Sequence, residues 1–157
     1  MKLSTKGRYA MIALADLARE GAVAGDGPLV PLAALAERQE ISLAYLEQLF
    51  VKLRRSGIVE SVRGPGGGYR LARPVDQIRV SEILDAVDET MDALTRGAGA
   101  SGATGETEAQ RLTDRLWESL SAHVYVFLHQ TRLSDITGDA MAPCPAVPVF
   151  IEMVDAE

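Results

Sequence analysis

A glycine-rich run between two short apolar stretches restricts the fold of this chain more than any other feature. The run comprises residues 63–69, Arg-Gly-Pro-Gly-Gly-Gly-Tyr. The alternating residues 58–62 before it predict a strand, and residues 69–71 can return antiparallel to that strand. Because three consecutive glycines carry no side chains, the loop can approach another molecular surface closely. The sequence therefore predicts a β-hairpin with a bare backbone at its tip.

An amphipathic helix directly precedes the hairpin. Its apolar positions recur at i, i+3, i+4 and i+7 and comprise Leu46, Leu49, Phe50 and Leu53. Ser42 is the residue type of an N-cap, and Gly57 is the type that ends a helix. A shorter helix is predicted around residues 32–36, with Pro31 at its start, and residues 39–42 form a four-residue link. Two helices and a hairpin in this order predict a mainly α fold with a small β-hairpin wing, a winged helix-turn-helix.

The outward positions of the second helix carry side chains that suit DNA. They are Ala44, Tyr45, Glu47, Gln48, Lys52 and Arg55. Glutamine pairs with the adenine edge, glutamate accepts from cytosine N4, and lysine and arginine bind phosphates. Arg63, at the base of the hairpin, has the chemistry to enter a narrow minor groove. The alternative is that these residues form only a solvated helix face. A nucleotide site is not expected, since the glycine run matches neither G-x-G-x-x-G nor a P-loop.

Two other helices are predicted from periodicity and capping. The first covers residues 4–20, with Tyr9, Ile12, Ala13 and Leu17 near one face. The second covers residues 81–88, with Ser81 as its cap and Glu82 in its first turn.

Four segments of the chain resemble those of a known family. They are residues 3–10, 41–50, 61–69 and 81–89. Residues 1 to about 90 are similar to the winged-helix transcription regulators whose members include IscR, NsrR and RirA, and the resemblance to the IscR members is the closest. It implies a dimeric bacterial regulator of transcription, with targets among iron–sulfur cluster assembly or iron-uptake genes.

The same resemblance implies which residues contact DNA. Glu47 and Gln48 would read bases in the major groove, Arg63 would enter the minor groove, and residues around Ser4 to Tyr9 would contact the backbone. The predicted DNA-binding set is Ser4, Lys6, Arg8, Tyr9, Ser42, Tyr45, Glu47, Gln48, Lys52, Arg63, Gly64, Gly66 and Gly67. Ala44 departs from the serine usual in the family, which removes one polar contact.

The cluster ligands of the resembled family are missing from this chain. IscR-like proteins hold a [2Fe-2S] cluster with three cysteines and a histidine, in and after the loop that follows the fourth helix. Here the corresponding residues 96–107 contain no cysteine, and Arg111 and Asp114 stand where the last cysteine and the histidine would fall. Cys144 is the single cysteine of the sequence.

Three roles for Cys144 follow from its chemistry. Two Cys144 thiolates in a dimer, together with histidine, aspartate or glutamate, would form an atypically ligated cluster, and His129 is the candidate histidine. The thiol alone would form a redox sensor, and a buried small hydrophobe is the third role. One cysteine also excludes an intrachain disulfide and agrees with a reducing cytoplasm, where we expect the protein to reside.

The net charge of −6 would not by itself suggest DNA binding, but the charge is distributed unequally between the two halves of the chain. Residues 1–80 carry 12 lysines and arginines against 8 acids, whereas residues 81–157 carry 4 against 14. Basic charge therefore lies with the predicted helix-turn-helix and wing, as phosphate binding requires.

A long helix is predicted from about residue 108 to 132. Its broad apolar stripe comprises Leu112, Leu116, Trp117, Leu120, Val124, Phe127 and Leu128. Pairing with a second copy would cover the stripe, and packing within one chain is the alternative. The predicted organisation is a DNA-binding domain at 1–90, a flexible loop at 91–107, a dimerisation helix at 108–134 and a tail at 135–157.

These observations predict a homodimeric, sequence-specific regulator that binds double-stranded DNA and represses iron–sulfur cluster assembly or iron-uptake genes. A cluster-free regulator responding to a small molecule or to thiol oxidation is the alternative within this class. A protein-interaction adaptor without DNA binding is the alternative from another class. No catalytic constellation and no membrane-spanning apolar stretch is visible in the sequence. We therefore expect neither an enzyme nor a membrane protein.

Overall fold

A computed structural model describes residues 4–88, 107–138 and 141, and the structural statements below concern these residues. In chain order the elements are α1 (Thr5–Arg19), α2 (Leu32–Gln39), α3 (Leu43–Arg55), β1 (Val59–Val62), β2 (Gly68–Leu71), a 3-10 turn (Val75–Gln77), α4 (Val80–Ala86), α5 (Glu108–Gln130) and α6 (Leu133–Thr137). The two strands pair antiparallel, with Val59 opposite Leu71 and Val62 opposite Gly68. The prediction of a mainly α fold with a β-hairpin wing is confirmed.

One hydrophobic core joins the first four helices to the hairpin. Its fully buried side chains include Leu14, Leu17, Leu35, Leu46, Phe50, Leu53, Ile58 and Leu71. An ion pair reinforces the contact between α1 and α2, because Arg38 Nη2 donates to Asp16 Oδ2 at 2.9 Å. This hydrogen bond raises the pKa of Arg38. The core fixes α3 and the hairpin relative to each other.

The buried face of α1 differs in part from the predicted one. Ala13 and Leu17 are buried as expected, and Ala10 and Leu14 complete that face. Ile12, however, was predicted on the same face and is 41% exposed. Ile12 lies outside the buried part of that face and lines, together with Tyr9, a groove beside α5.

The start of α4 also corrects a prediction. Ser81 does not cap the helix, since α4 begins at Val80 and Arg79 occupies the N-cap position. Ser81 lies within the first turn and is 5% exposed. Glu82 lies in the first turn as predicted, and its Oε2 also accepts from the Arg79 backbone N–H at 2.9 Å. Pro31 likewise stands at the N-cap position of α2, one residue before the helix.

A third segment extends the wing, and periodicity did not indicate it. Val30 pairs antiparallel with Tyr69, donating to its carbonyl at 2.9 Å and accepting from its amide at 2.8 Å. The hairpin is therefore hydrogen-bonded to Val30, which lies two residues before the start of α2. This contact orients the wing relative to the helix-turn-helix.

Helix α5 lies against the core only at its C-terminal end. The helix has 23 residues, about 34 Å at 1.5 Å per residue, and none of them is buried. It ends at Gln130, because Thr131 is extended and the chain turns back. Arg132 then forms a β-bridge with Arg79, and Leu133 of α6 is fully buried in the core. Among the described residues, no helix combines the length and apolar character needed to cross a membrane.

Candidate nucleic-acid interface

Helix α3 presents a polar face outward because its apolar face is completely used by the core. Leu46, Phe50 and Leu53 are fully buried, whereas Glu47 and Gln48 are exposed on the opposite side. Ser42 caps the helix as predicted, its Oγ accepting from the Tyr45 amide at 3.5 Å. The helix ends before Gly57, whose φ of +69° suits glycine.

Two aromatic contacts hold α3 in place. The rings of Tyr9 and Tyr45 meet edge to face with their centroids 5.6 Å apart, and this contact joins the start of α1 to the start of α3. The rings of Phe50 and Tyr69 meet edge to face at 4.9 Å, which joins α3 to the wing. Tyr9 and Tyr45 are half-buried, so they serve this packing in addition to any contact with a ligand.

The contact between Tyr9 and Tyr45 places the N-terminus of α1 beside the start of α3. Ser4 caps this helix, its Oγ accepting from the Lys6 amide at 3.2 Å. Lys6 and Arg8 are exposed in the first turn. Backbone N–H groups at a helix N-terminus and two nearby cations suit an anionic phosphate.

The wing tip is a tight turn through residues 64–67. The Gly67 amide donates to the Gly64 carbonyl at 2.9 Å, and Gly66 has a φ of +73°. Pro65 followed by a glycine of positive φ is typical of a type II turn. At Gly67 and Gly68 the hairpin itself requires glycine, because a Cβ on Gly68 would lie 2.6 Å from the Val30 carbonyl carbon. The bare backbone thus serves internal packing at these two positions, whereas Gly64 and Gly66 face open space.

The cations of the winged domain divide into paired and available groups. Arg38, Arg70 and Arg73 are held by Asp16, Glu60 and Glu82 respectively. Within the described part of the chain, Arg55 and Arg63 are exposed and make no ion pair. Arg63 directly follows β1, where the sequence predicted a minor-groove contact. The available charge therefore lies on α3 and at the wing base.

Lys52 has a partner that the sequence did not indicate. Its Nζ lies 2.5 Å from Asp88 Oδ2, in an exposed ion pair between α3 and the second residue after the end of α4. The hydrogen bond and charge of Lys52 lower the pKa of Asp88, and the charge of Lys6 lowers it further. A carboxylate therefore lies among the cations assigned to phosphate binding.

The described residues do not bring together a metal-binding set. No group of three or more His, Cys, Asp or Glu side chains occurs among them. His129 Nδ1 lies 3.2 Å from Ser81 Oγ, and its ring stacks on Tyr125 with centroids 5.6 Å apart. Arg111 and Asp114 are exposed on α5. Cys144, the predicted sulfur ligand, lies outside the described residues.

Helix α5 presents a second, apolar surface. Leu112 and Leu116 are each 60% exposed, and Phe127 is 56% exposed. Beside the C-terminal half of α5 lies a groove of about 440 Å³, lined by Gly7, Arg8, Tyr9, Met11, Ile12, Val80, Leu84 and Leu128. The surface and the groove together form a large exposed apolar area among the described residues.

Comparison with sequences of known proteins gives consistent matches. The family model described as "Rrf2: Iron-dependent Transcriptional regulator" matches residues 3–139. An HTH-type transcriptional regulator IscR from Cereibacter sphaeroides is 66% identical over 157 residues, covering 100% of both chains. An IscR from Aliivibrio salmonicida is 50% identical over 139 residues, which are 88% of this chain and 79% of that protein.

Solved structures with the same fold include regulators of two kinds. T. potens IscR superposes with a TM-score of 0.67 at 36% identity, covering 89% of this chain and 88% of that chain. CymR of B. subtilis, the global cysteine regulator, superposes with a TM-score of 0.69 at 32% identity, covering 88% of this chain and 98% of its own.

Proposed function

From the premise that the chain belongs to the Rrf2 family of DNA-binding transcriptional regulators, which are not enzymes, we propose that it is a dimeric, sequence-specific repressor. Its proposed targets are genes of iron–sulfur cluster assembly or iron uptake. The family description as iron-dependent and the relatives named IscR support this choice of targets.

The observation that carries the proposal is the outward face of α3 beside an available arginine. Glu47 and Gln48 project from a helix whose other face is buried in the core, so the backbone that carries them is held in place. Arg63 is exposed at the wing base and has no internal acid to neutralise it within the described residues. In this assignment Glu47 and Gln48 read bases in the major groove, and Arg63 enters the adjacent minor groove.

The remaining predicted contacts position the protein on the DNA backbone. Ser4, Lys6, Arg8 and Ser42 lie at the N-termini of α1 and α3, where backbone amides and cations bind phosphate. Gly64 and Gly66 leave the wing tip without side chains, so the backbone can lie close to the duplex. Phosphate contacts of this kind set register and orientation without reading sequence.

Dimerisation through α5 is part of the proposal. The exposed apolar stripe of α5 and the groove beside it are the apolar surface that a second copy would cover in an isologous interface. A dimer would present two copies of α3 to successive major grooves, one helical turn apart. Repression would follow from occupation of a promoter by both copies.

Base reading is tested with two variants and two matched controls. Binding of Glu47→Ala and Arg63→Ala is measured on a duplex that the wild type selects from a randomised pool, and on random duplex. We expect Glu47→Ala to reduce discrimination between the two duplexes by about 1–3 kcal/mol, because one base contact is lost. Arg63→Ala is expected to lower affinity for the selected duplex.

Glu37→Ala and Arg19→Ala are the controls, because both residues are exposed on helices away from the outward face of α3. Equal losses on selected and random DNA in both test variants would contradict the base-reading assignment. Retention of selective binding in both would show that another surface reads the sequence, whereas a wild type without salt-dependent, selective DNA binding would favour the adaptor.

The sensing chemistry is a separate question, and the usual cluster ligands do not provide it. The described residues contain no set of three potential ligands, and His129 is engaged with Ser81 and Tyr125. A [2Fe-2S] cluster in this chain would therefore depend on Cys144 and on donors other than cysteine. The alternative is a cluster-free regulator that responds to a small molecule or to oxidation of Cys144.

Anaerobic purification of the wild type and of Cys144→Ala distinguishes these sensors. Visible absorption with stoichiometric iron and sulfide, lost in Cys144→Ala, would establish a cluster with atypical ligation. A colourless wild type that binds DNA would establish a cluster-free regulator. If DNA binding then responds to an oxidant in the wild type but not in Cys144→Ala, the Cys144 thiol is the sensor.

A further inference from the structure

The ion pair between Lys52 and Asp88 places an acid within the proposed phosphate-binding surface. Lys52 belongs to α3, on the helix that carries Glu47 and Gln48, and its Nζ lies 2.5 Å from Asp88 Oδ2. Lys6 of α1 also acts on the Asp88 charge and lowers its pKa. The carboxylate is therefore in contact with one cation that is assigned to DNA contact, Lys52, and is influenced by the charge of a second, Lys6.

Stability alone gives little reason for this pair. The Asp88 side chain is 70% exposed and that of Lys52 is 37% exposed, and ion pairs with such exposure add little to folding. Asp88 also adopts a φ of +53°, a left-handed conformation that asparagine tolerates as well as aspartate. The backbone there accounts for a small polar residue, whereas the negative charge needs a separate explanation.

DNA phosphate and Asp88 are chemically equivalent partners for the Lys52 ammonium. Both are anionic oxygen acceptors, and an exposed lysine side chain is long enough to exchange one for the other. In the free protein the Lys52 ammonium donates a hydrogen bond to the Asp88 carboxylate. Binding of DNA must either displace Asp88 or bring its charge close to the phosphates, and both reduce the affinity.

We propose that Asp88 is an affinity-setting residue of the DNA-binding surface, which competes with the phosphate backbone for Lys52. This inference rests on the proposed function, because it concerns the same surface. Its action is independent of sequence, since phosphate contacts carry no base information. Asp88 therefore lowers affinity for selected and random duplexes by the same factor.

The salt dependence of binding gives the expected magnitude. A lysine that neutralises one phosphate contributes about −0.9 to the slope of log Kobs against log salt. In the wild type this contribution is reduced, because Lys52 exchanges one anion for another. Removal of the Asp88 charge should steepen the slope by about 0.9 per subunit, or about 1.8 per dimer. Between about 50 and 200 mM salt, such a difference changes the relative affinity of a dimer about tenfold.

The test compares Asp88→Asn with Asp85→Asn in the full-length protein. Asp85 is exposed on α4, and its side chain makes no ion pair among the described residues, so its variant removes the same charge without touching Lys52. Binding is measured on a wild-type-selected duplex and on random duplex across a salt series. Lys52→Gln is made in the wild type and in Asp88→Asn.

Three results together would support the inference. Asp88→Asn binds both duplexes more tightly at low salt and with a steeper slope, whereas Asp85→Asn changes the slope by much less. Lys52→Gln weakens Asp88→Asn strongly but the wild type only slightly. Circular dichroism confirms that the exposed substitutions leave the fold intact.

Other results would overturn the inference. Equal effects of Asp88→Asn and Asp85→Asn would show a general charge effect, and weaker binding by Asp88→Asn would show that Asp88 orients Lys52. A gain that persists without Lys52 would exclude competition for that ammonium. The random-duplex arm decides the inference even where the wild type shows no sequence preference, a result that would overturn only the proposed base reading.

Discussion

Helices α3 and α5 carry similar apolar patterns, but their apolar faces lie in different environments. The apolar face of α3 is buried, with Leu46, Phe50 and Leu53 at 0% exposure. The stripe of α5 remains open, with Leu112 and Leu116 at 60%. Because exposed apolar area of this extent is uncommon in a monomer, the contrast supports the proposed pairing of α5 with a second copy. Periodicity therefore identifies an apolar face but not the surface that covers it.

Truncation of an α3 core residue should have the largest effect on folding. Phe50→Ala removes a fully buried ring that packs on Tyr69, and we expect a loss of about 3–5 kcal/mol in the free energy of unfolding. Denaturant unfolding followed by circular dichroism measures it. Val51→Ala, at a neighbouring position that is 38% exposed, is the control and should change stability by less than about 0.5 kcal/mol. Similar losses at both positions would remove the contrast between buried and open faces.

A charge in the α5 stripe should affect assembly rather than folding. Leu116→Asp places a carboxylate at a position that is 60% exposed in the single chain, so the subunit should still fold. We expect a monomer by sedimentation or light scattering. Affinity for operator DNA should fall about 100-fold or more, because two linked half-site contacts become one.

Ala122→Asp is the matched control for assembly, since it adds the same charge on the other side of α5 at an exposed residue. A Leu116→Asp protein that remains dimeric would mean that the stripe is not the subunit interface. A loss of helical signal in both variants would instead indicate an effect on α5 itself.

The smallest expected effect concerns the exposed pair that joins α3 to the end of α4. Because Lys52 lowers the pKa of Asp88 in the folded state, the ion pair between them contributes to stability above the unfolded aspartate pKa of about 3.9. It is lost as the pH falls through the lower folded pKa. Wild type should therefore be slightly more stable than Asp88→Asn at neutral pH, and the difference should vanish in acid. Denaturant midpoints across the pH range measure it, and a difference that does not depend on pH would contradict the assignment.

Most of the winged domain was predictable from local pattern, because its helices and hairpin are defined by nearby residues. The Ser42 cap, the Gly57 stop and the antiparallel return at residues 69–71 agree with the structure. The predicted cap at Ser81 was wrong because two local signals compete there. Ser81 is a good capping type, but Glu82 binds the Arg79 amide and the helix starts earlier.

The candidate site was predictable in its polar residues but not in their partners. Glu47, Gln48 and Arg63 are exposed as the α3 and wing patterns indicated. The Asp88 contact to Lys52 spans 36 positions, and no sequence period links residues so far apart. The glycines of residues 66–68 were also given one role, whereas the structure separates positions that face open space from positions pressed against the backbone.

The sequence by itself determined the order of the elements, the polar face of α3 and the absence of the usual cluster cysteines. These are properties of residue type and short-range spacing, which backbone geometry converts directly into helices, turns and available ligands. Only the tertiary structure decided that Val30 joins the wing, that Leu133 returns to the core and that Lys52 meets Asp88. Such contacts depend on how the chain packs as a whole, because they join residues that share no local pattern.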